Sequence, residues 1–224
     1  MINTDFLAKV RQQLQAKNAR LVAVSKTKPI NAIMQAYHNN QRIFGENKVQ
    51  EMVEKHAQLP NDIEWHLIGH LQTNKVKYIA PFVKLIHSID SQKLLAEVNK
   101  RALQNNRVID CLLQIHIANE NTKFGMSYKQ VSNLLESIDY QAMTNIAVKG
   151  VMGMATFTSN QQQIGEEFKQ LKHIFEKLKT CYFAADNQFC EISMGMSGDY
   201  EIALEKGSTL VRIGSKIFGN RQYV

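Results

Sequence analysis

Hydrophobic and polar positions along the chain follow two alternating patterns, short apolar runs and longer stretches with helical spacing. A helical pattern comes first, capped by Thr4 and built from apolar residues about one turn apart: Phe6, Leu7, Val10 and Leu14. Eight short runs then predict strands, at residues 21–25, 42–45, 63–69, 84–89, 109–117, 147–154, 190–194 and 210–214. The clearest helical segments between them lie at 30–39, 48–58, 94–105, 131–137 and 162–178.

Strands that alternate with helices indicate a parallel sheet with helical crossovers. Eight such units predict a single (β/α)8 barrel of the TIM type, with an extra N-terminal helix. An open doubly wound sheet would give a similar pattern, but no Gly-x-Gly-x-x-Gly follows the first run. Glycines gather instead after the last two runs, where barrels commonly bind phosphate. No linker interrupts the sequence, so we expect one domain over residues 1–224.

Composition excludes several function classes. Hydrophobic residues make up 44% and charged residues 21%, as in ordinary soluble proteins. The net charge of +7 attracts phosphates, but no basic run or basic-aromatic interleaving predicts a nucleic-acid surface. No signal peptide or membrane span is evident, and the odd, widely spaced cysteines fit neither disulfides nor a zinc site. We therefore expect a cytoplasmic protein without nucleic-acid or membrane partners.

Lys26 follows the first predicted strand, and by alternation it shares one face with Val22 and Val24. If that face points into the barrel, the amine emerges at the C-terminal rim, where barrel active sites are built. Partial desolvation there would favour the neutral amine, which can condense with an aldehyde. The alternative is a solvated lysine at the end of a strand.

Two turns near the C-terminus have the composition of a phosphate site. Ile192-Ser-Met-Gly-Met-Ser-Gly-Asp199 follows the seventh strand, and Val211-Arg-Ile-Gly-Ser215 follows the eighth. Both supply glycines, hydroxyls and backbone N–H groups, which together form nests for a phosphate dianion. The alternative is that the glycines only permit tight turns while Ser197 and Asp199 cap a helix.

Arg212 lies between Val211 and Ile213 in the last predicted strand. If those two residues face the outer helices, the guanidinium points into the lumen, where it needs a hydrogen-bond acceptor. A pyridine nitrogen of a ligand and a core carboxylate such as Glu46 are the two candidates.

Motifs along the whole chain resemble those of the pyridoxal phosphate homeostasis proteins, whose barrel is similar to that of bacterial alanine racemases. The motifs are Ala23-Val-Ser-Lys-Thr-Lys-Pro29, Phe44-Gly-Glu-Asn47 with Val49-Gln-Glu51, residues 65–75, Lys123-Phe-Gly-Met126, Gly150-Val-Met-Gly-Met154, Ser193-Met-Gly-Met-Ser197 with Asp199, and residues 211–219. One departure is Lys48, because the family usually has a tyrosine after Gly-Glu-Asn.

The resemblance implies that pyridoxal 5′-phosphate (PLP) is bound as a Schiff base on Lys26. It implies an arginine near the pyridine nitrogen, at Arg212. The residues that match the phosphate-binding turns are Ser193, Ser197, Gly214 and Ser215. The residues that fall where the family lines the cofactor pocket are Asn47, His70 and Met194.

The resemblance also implies a function: a carrier or regulator in PLP homeostasis, with PLP-dependent apo-enzymes as candidate recipients. Alanine racemases add a β-rich domain, and their dimer supplies a catalytic tyrosine. Here the sequence ends soon after Gly214, so we expect neither. An arginine facing the pyridine nitrogen would also weaken electron withdrawal by the ring. We therefore expect a monomeric carrier and not an enzyme.

Two alternative functions remain open. One is a small PLP-dependent racemase or lyase that uses Lys26 as its base. The other is a barrel that binds phosphate or nucleic acid and whose Lys26 forms no imine. A metal site is not expected, since no cysteine or aspartate beside His66 and His70 completes a ligand set. Residues 119–125 predict a loop over the rim of the pocket.

Overall fold

Eight parallel strands close into a barrel in chain order, from β1 next to β2 around to β8 next to β1. The computed structural model describes residues 1–119 and 124–219. Within them the strands are β1 (Arg20–Val24), β2 (Ile43–Glu46), β3 (Glu64–Leu67), β4 (Leu85–Ile89), β5 (Ile109–Gln114), β6 (Ile146–Met152), β7 (Glu191–Met196) and β8 (Leu210–Ile213). The predicted (β/α)8 barrel is confirmed.

Helices follow the strands around the outside of the barrel. They are α1 (Thr4–Gln15), α2 (Ile30–His38), α3 (Val49–His56), α4 (Val76–Ile79), α5 (Gln92–Gln104), α6 (Tyr128–Glu136), α7 (Ile138–Gln141), α8 (Gln161–Tyr182), α9 (Tyr200–Glu205) and α10 (Ser215–Phe218). A 3-10 turn, Thr73–Lys75, precedes α4. None of the helices in residues 1–119 and 124–219 combines the length and apolarity that crossing a bilayer requires.

Several predicted element ends differ from the structure by a few residues, and two of them show the physical reason. Thr4 does not cap α1, because the cap is one residue earlier, where Oδ1 of Asn3 accepts a hydrogen bond from the backbone N–H of Phe6. The fifth strand ends at Gln114 and not at residue 117, because the next residue, Ile115, forms an isolated bridge with Met126. In both places a local hydrogen bond ends the element where hydrophobicity alone does not.

Alternation along each strand divides the core into two layers. Inward-facing side chains fill the lumen: Val22, Leu85, Leu112, Met152 and Leu210. Outward-facing side chains pack under the helices, and Phe44 and Trp65 are among the largest that are fully buried there. Val211 and Ile213 belong to this outer layer, which leaves Arg212 facing inward as predicted.

The loops after β5 and β6 are tied together at the rim by Glu167 of α8. Its carboxylate accepts hydrogen bonds from the backbone N–H and the hydroxyl of Thr156, at 2.6 and 2.7 Å. The same hydroxyl accepts from the backbone N–H of Asn119 at 3.2 Å. Burial alone would raise the pKa of Glu167, but these hydrogen bonds outweigh it and lower the pKa below its usual value.

The lowered pKa of Glu167 predicts a pH-dependent loss of stability. The ionised Glu167 carboxylate stabilises the folded state. This stabilisation is complete above the unfolded-state pKa of about 4.3 and disappears as the pH falls through the lower folded-state pKa. Urea unfolding of wild type and Glu167→Gln should therefore differ by about 1–2 kcal/mol at pH 7 and converge toward pH 3. The exposed neighbour gives the control: Glu166→Gln should change stability by less than about 0.5 kcal/mol throughout. An equal difference at both pH values would contradict the assignment.

Candidate functional site

A cavity of about 790 Å³ opens at the carboxyl ends of the strands. That volume lies within the range of small-molecule and cofactor sites. Six of the predicted site residues line it: Lys26, Asn47, Ser197, Arg212, Gly214 and Ser215. The wall also includes residues that the sequence did not assign to the site, among them Thr156, Phe157 and Ile164. The parallel strands bring residues from both ends of the chain to this rim.

Lys26 lies in a tight turn between β1 and α2, and the turn is strained. The next residue, Thr27, has a φ of 62°, in the left-handed region that β-branched residues rarely adopt. The backbone N–H of Thr27 donates to Oε1 of Glu51 at 2.5 Å. This bond from α3 holds the strained residue, and with it the direction in which the chain leaves Lys26.

A buried ion cluster holds the other side of the same turn. The Lys55 ammonium donates at 2.7 Å to each of three oxygens: the carbonyl of Ser25 and Oε1 of both Glu46 and Glu51. Ser25 donates its hydroxyl to Glu46 at 2.6 Å. Burial raises the pKa of Glu46, and the Lys55 ammonium opposes that rise. The cluster therefore anchors Ser25 and Thr27, which flank Lys26.

The turns after β7 and β8 are linked to each other. The backbone N–H of Gly214 donates to Oγ of Ser197 at 3.3 Å. Gly214 also approaches β1 so closely that a Cβ there would lie 3.0 Å from the carbonyl oxygen of Val24. Asp199 begins α9, but its carboxylate accepts from the backbone N–H of Met196 and makes no cap bond to the helix. Asp199 thus occupies the N-cap position of α9, as the alternative interpretation expected, but its side chain bonds within the turn after β7 and not to the helix.

Arg212 lies at the floor of the cavity with 4% of its surface exposed. Its Nη1 donates to Oγ of Ser193 at 2.5 Å, and its Nη2 donates to the carbonyl of Gly153 at 3.1 Å. Burial lowers the pKa of Arg212 to about 10, so the guanidinium still carries its charge at neutral pH. The carboxylate partner suggested by the sequence is wrong, because Glu46 pairs with Lys55.

Three predicted site residues do not line the cavity. Ser193 lies inside β7, below the turn, where it contacts Arg212. Met194 is fully buried in the outer core, because in a strand the neighbour of an inward-facing residue must face outward. His70 follows β3 and pairs with Asp90, with 3.2 Å between Nδ1 and Oδ2. The structure therefore places these three side chains outside the lining of the cavity, although the sequence assigned them to the site.

His70 borders a neighbouring hollow of about 600 Å³ that shares Asn47 with the cavity. Lys48, the residue that departs from the family pattern, also lines this hollow. The His70 ring stacks on Phe124, with 4.3 Å between the ring centroids. Residues 120–123 of the predicted rim loop lie outside the described residues.

A groove of about 760 Å³ at the opposite end of the barrel is a weaker candidate. Three arginines line it, and each is held by protein atoms: Arg11 by the carbonyl of Asn39, Arg20 by Glu191, and Arg42 by Asp62. In the part of the chain that the structure describes, no three histidine, cysteine or carboxylate side chains cluster as metal ligands would. The cavity at the carboxyl ends is therefore the candidate site.

Comparison with known proteins defines the class of this barrel. The sequence profile described as alanine racemase, N-terminal domain, matches residues 6–222. Alanine racemase from Clostridium difficile shares the fold, with a TM-score of 0.68 at 11% identity over 99% of this chain and 56% of that one. The protein is thus a barrel of the alanine racemase N-terminal class.

Nearer relatives define the family within that class. A pyridoxal phosphate homeostasis protein from Aquifex aeolicus is 40% identical over 92% of this chain and 88% of its own length. One from Pasteurella multocida is 37% identical over 97% of both chains. PipY of Synechococcus elongatus, solved with PLP bound, has a TM-score of 0.87 at 32% identity over 96% of this chain and 99% of its own. The chain belongs to the family of pyridoxal phosphate homeostasis proteins.

The ion cluster beneath Lys26 predicts a stability effect that depends on pH. Lys55→Met leaves Glu46 buried without its counter-ion, which should lower the free energy of unfolding by about 3 kcal/mol at pH 8. The loss should shrink at pH 5, where Glu46 can take up a proton instead. Urea unfolding measures both values. Lys84→Met removes a mostly exposed pair with Asp110 and should cost less than about 1 kcal/mol; an equal loss in both variants would contradict the account.

Proposed function

We propose that this protein binds PLP in the cavity at the carboxyl ends of the strands, with the amine of Lys26 joined to its aldehyde as a Schiff base. It acts as a carrier or regulator in intracellular PLP homeostasis. One observation carries the proposal: a lysine, a buried arginine and two hydroxyl-bearing turns line a single cavity.

The donor set of the cavity fits the three polar parts of PLP. Ser197, Ser215 and the turn backbone offer hydroxyls and N–H groups, which suit a phosphate dianion. Lys26 offers a primary amine for the aldehyde. Arg212 offers N–H donors for the ring nitrogen. Gly214 suits the phosphate turn, because a side chain there would press against β1.

The remaining predicted residues take supporting roles in this proposal. Asn47 contributes to the cavity wall, whereas Ser193 acts on the cofactor through Arg212. His70 and Met194 are not proposed as contacts, because neither lines the cavity. We further propose one domain over residues 1–224, a monomer located in the cytoplasm, and delivery of PLP to PLP-dependent apo-enzymes.

Arg212 favours a carrier over an enzyme. PLP supplies an electron-withdrawing ring to amino-acid chemistry when its ring nitrogen is protonated. A guanidinium has donors only, so at that nitrogen it favours the unprotonated form and reduces the electron withdrawal. The names of the curated relatives, and the PLP-bound structure of PipY, support PLP as the ligand.

Substitution of the two lysines that line the cavity tests the Schiff base. The wild-type protein should take up added PLP and develop the long-wavelength absorption of an imine, and Lys26→Ala should not. Lys28→Ala is the matched control: its amine lines the same cavity and donates to the carbonyl of Gly219, and the variant should keep the absorption. A wild-type protein that takes up no PLP would contradict the proposal.

The same variants separate a carrier from a racemase or lyase. Incubation of the PLP-loaded protein with D- or L-amino acids in deuterium oxide should give little exchange of the α-proton. Rapid exchange that Lys26→Ala abolishes would show an enzyme that uses Lys26 as its base.

If Ser197 and Ser215 bind the phosphate, their substitution should lower the affinity for PLP much more than the affinity for pyridoxal. Each hydroxyl that donates to a phosphate dianion contributes roughly tenfold in affinity, so Ser197→Ala with Ser215→Ala should weaken PLP binding by about a hundredfold. Pyridoxal has the aldehyde and ring without the phosphate, and its affinity should change by less than about threefold. Equal losses for both ligands, measured by equilibrium titration, would place the phosphate elsewhere.

A further inference from the structure

A hydrogen-bonded chain of buried side chains crosses the lumen beneath the cavity. Nδ1 of His66 lies 3.0 Å from Nε2 of His87, and Nδ1 of His87 lies 2.8 Å from Oγ of Ser193. Ser193 in turn accepts from Nη1 of Arg212 at 2.5 Å. The chain spans the barrel from β3 and β4 to β7 and β8, and none of its four side chains is more than 4% exposed.

One arrangement of donors and acceptors satisfies all three hydrogen bonds of this chain and also uses the hydroxyl proton of Ser193. Arg212 can only donate, so Ser193 accepts from it and has its own hydroxyl proton left to donate. The nearest acceptor for that proton is Nδ1 of His87. A neutral His87 then carries its proton on Nε2 and donates it to Nδ1 of His66, whose own proton lies on Nε2.

The surroundings keep both histidines neutral, as this arrangement requires. Burial, aided by the positive charges of Arg20 and Lys84, lowers the pKa of His66 to about 3. Burial also lowers the pKa of His87, and Arg212 adds to the effect. An imidazolium has no acceptor nitrogen, so protonation of His87 would remove the acceptor that Ser193 uses.

We propose that His66, His87 and Ser193 are positioning residues that hold the guanidinium of Arg212 at the floor of the cavity. Ser193 and the carbonyl of Gly153 each accept from a different nitrogen of the guanidinium, which fixes the plane of the group. The N–H groups that remain serve the cavity that Arg212 lines. The consequence for ligand binding rests on the proposed function, in which Arg212 contacts the ring nitrogen of PLP.

Nuclear magnetic resonance of the protein without PLP tests the proton arrangement directly. With ¹⁵N-labelled histidine, His66 and His87 should both be neutral from pH 5 to pH 8, with the proton on Nε2. His66→Gln and His87→Gln assign the two signals among the 7 histidines. A proton on Nδ1 of His87, or a protonated ring at pH 6, would overturn the proposal.

Two buried serines provide a matched pair for the positioning role. Ser193→Ala removes the acceptor for Arg212, whereas Ser208→Ala removes a hydroxyl whose partners are backbone carbonyls of β7 and β8. In the protein without PLP, the guanidinium N–H signals of Arg212 should exchange with water at least about tenfold faster in Ser193→Ala than in wild type or Ser208→Ala. Ser193→Thr keeps the hydroxyl and should restore slow exchange. Equal exchange rates in both alanine variants would overturn the proposal.

PLP binding by Ser193→Ala and Ser208→Ala distinguishes a failure of the positioning role from a failure of the proposed function. If Arg212 contacts the ring of PLP, Ser193→Ala should weaken PLP binding about tenfold and Ser208→Ala less than twofold. Unchanged PLP affinity in Ser193→Ala would overturn the positioning role. If the wild-type protein binds no PLP, the proposed function fails, and the histidine tautomers and arginine exchange still decide whether the chain holds Arg212.

Discussion

The backbone hydrogen bonds between β1 and β8 close the barrel, and the candidate site depends on that closure. The register pairs Val22 with Arg212 and Ala23 with Ile213. It brings Gly214 against Val24, so that Lys26 and the turn after β8 border one cavity although they are far apart in sequence. Because all strands run parallel, every strand ends at the same rim, and the candidate functional side chains lie together there.

Polar groups inside the barrel obey a second constraint, since each buried charge needs a partner. The Lys55 ammonium pairs with the carboxylate of Glu46, and by donating to the carbonyl of Ser25 it also holds the turn at Lys26. Among residues 1–119 and 124–219, no carboxylate forms an ion pair with Arg212; its hydrogen bonds go to neutral acceptors, Ser193 and the carbonyl of Gly153, and the charge of Asp199 acts on it without such a pair. A guanidinium bound only to neutral groups keeps its charge available to a ligand, whereas a salt bridge would neutralise it. This difference is why Arg212, and not Lys55, is suited to contact a cofactor.

The sequence predicts the fold and the face of each strand better than it predicts contacts across the lumen. Period-two alternation correctly places Arg212 inward, and applied to Ser193 it would also have excluded Met194 from the pocket. The pairing of His87 with Ser193 has no counterpart in sequence spacing, because it depends on which strands face each other in the closed barrel. The cap of α1 was missed by one residue, since Asn3 and Thr4 are both good capping residues.

The central claim is that Lys26 is the residue that holds PLP, and the most direct measurement is to locate the covalent bond. Borohydride reduction of the PLP-loaded protein converts an imine into a stable amine, and digestion followed by mass spectrometry identifies the modified lysine. The account predicts a pyridoxyl group on Lys26 under stoichiometric loading. Modification of Lys28 or Lys48 in its place, or no modification of a protein that has bound PLP, would contradict it.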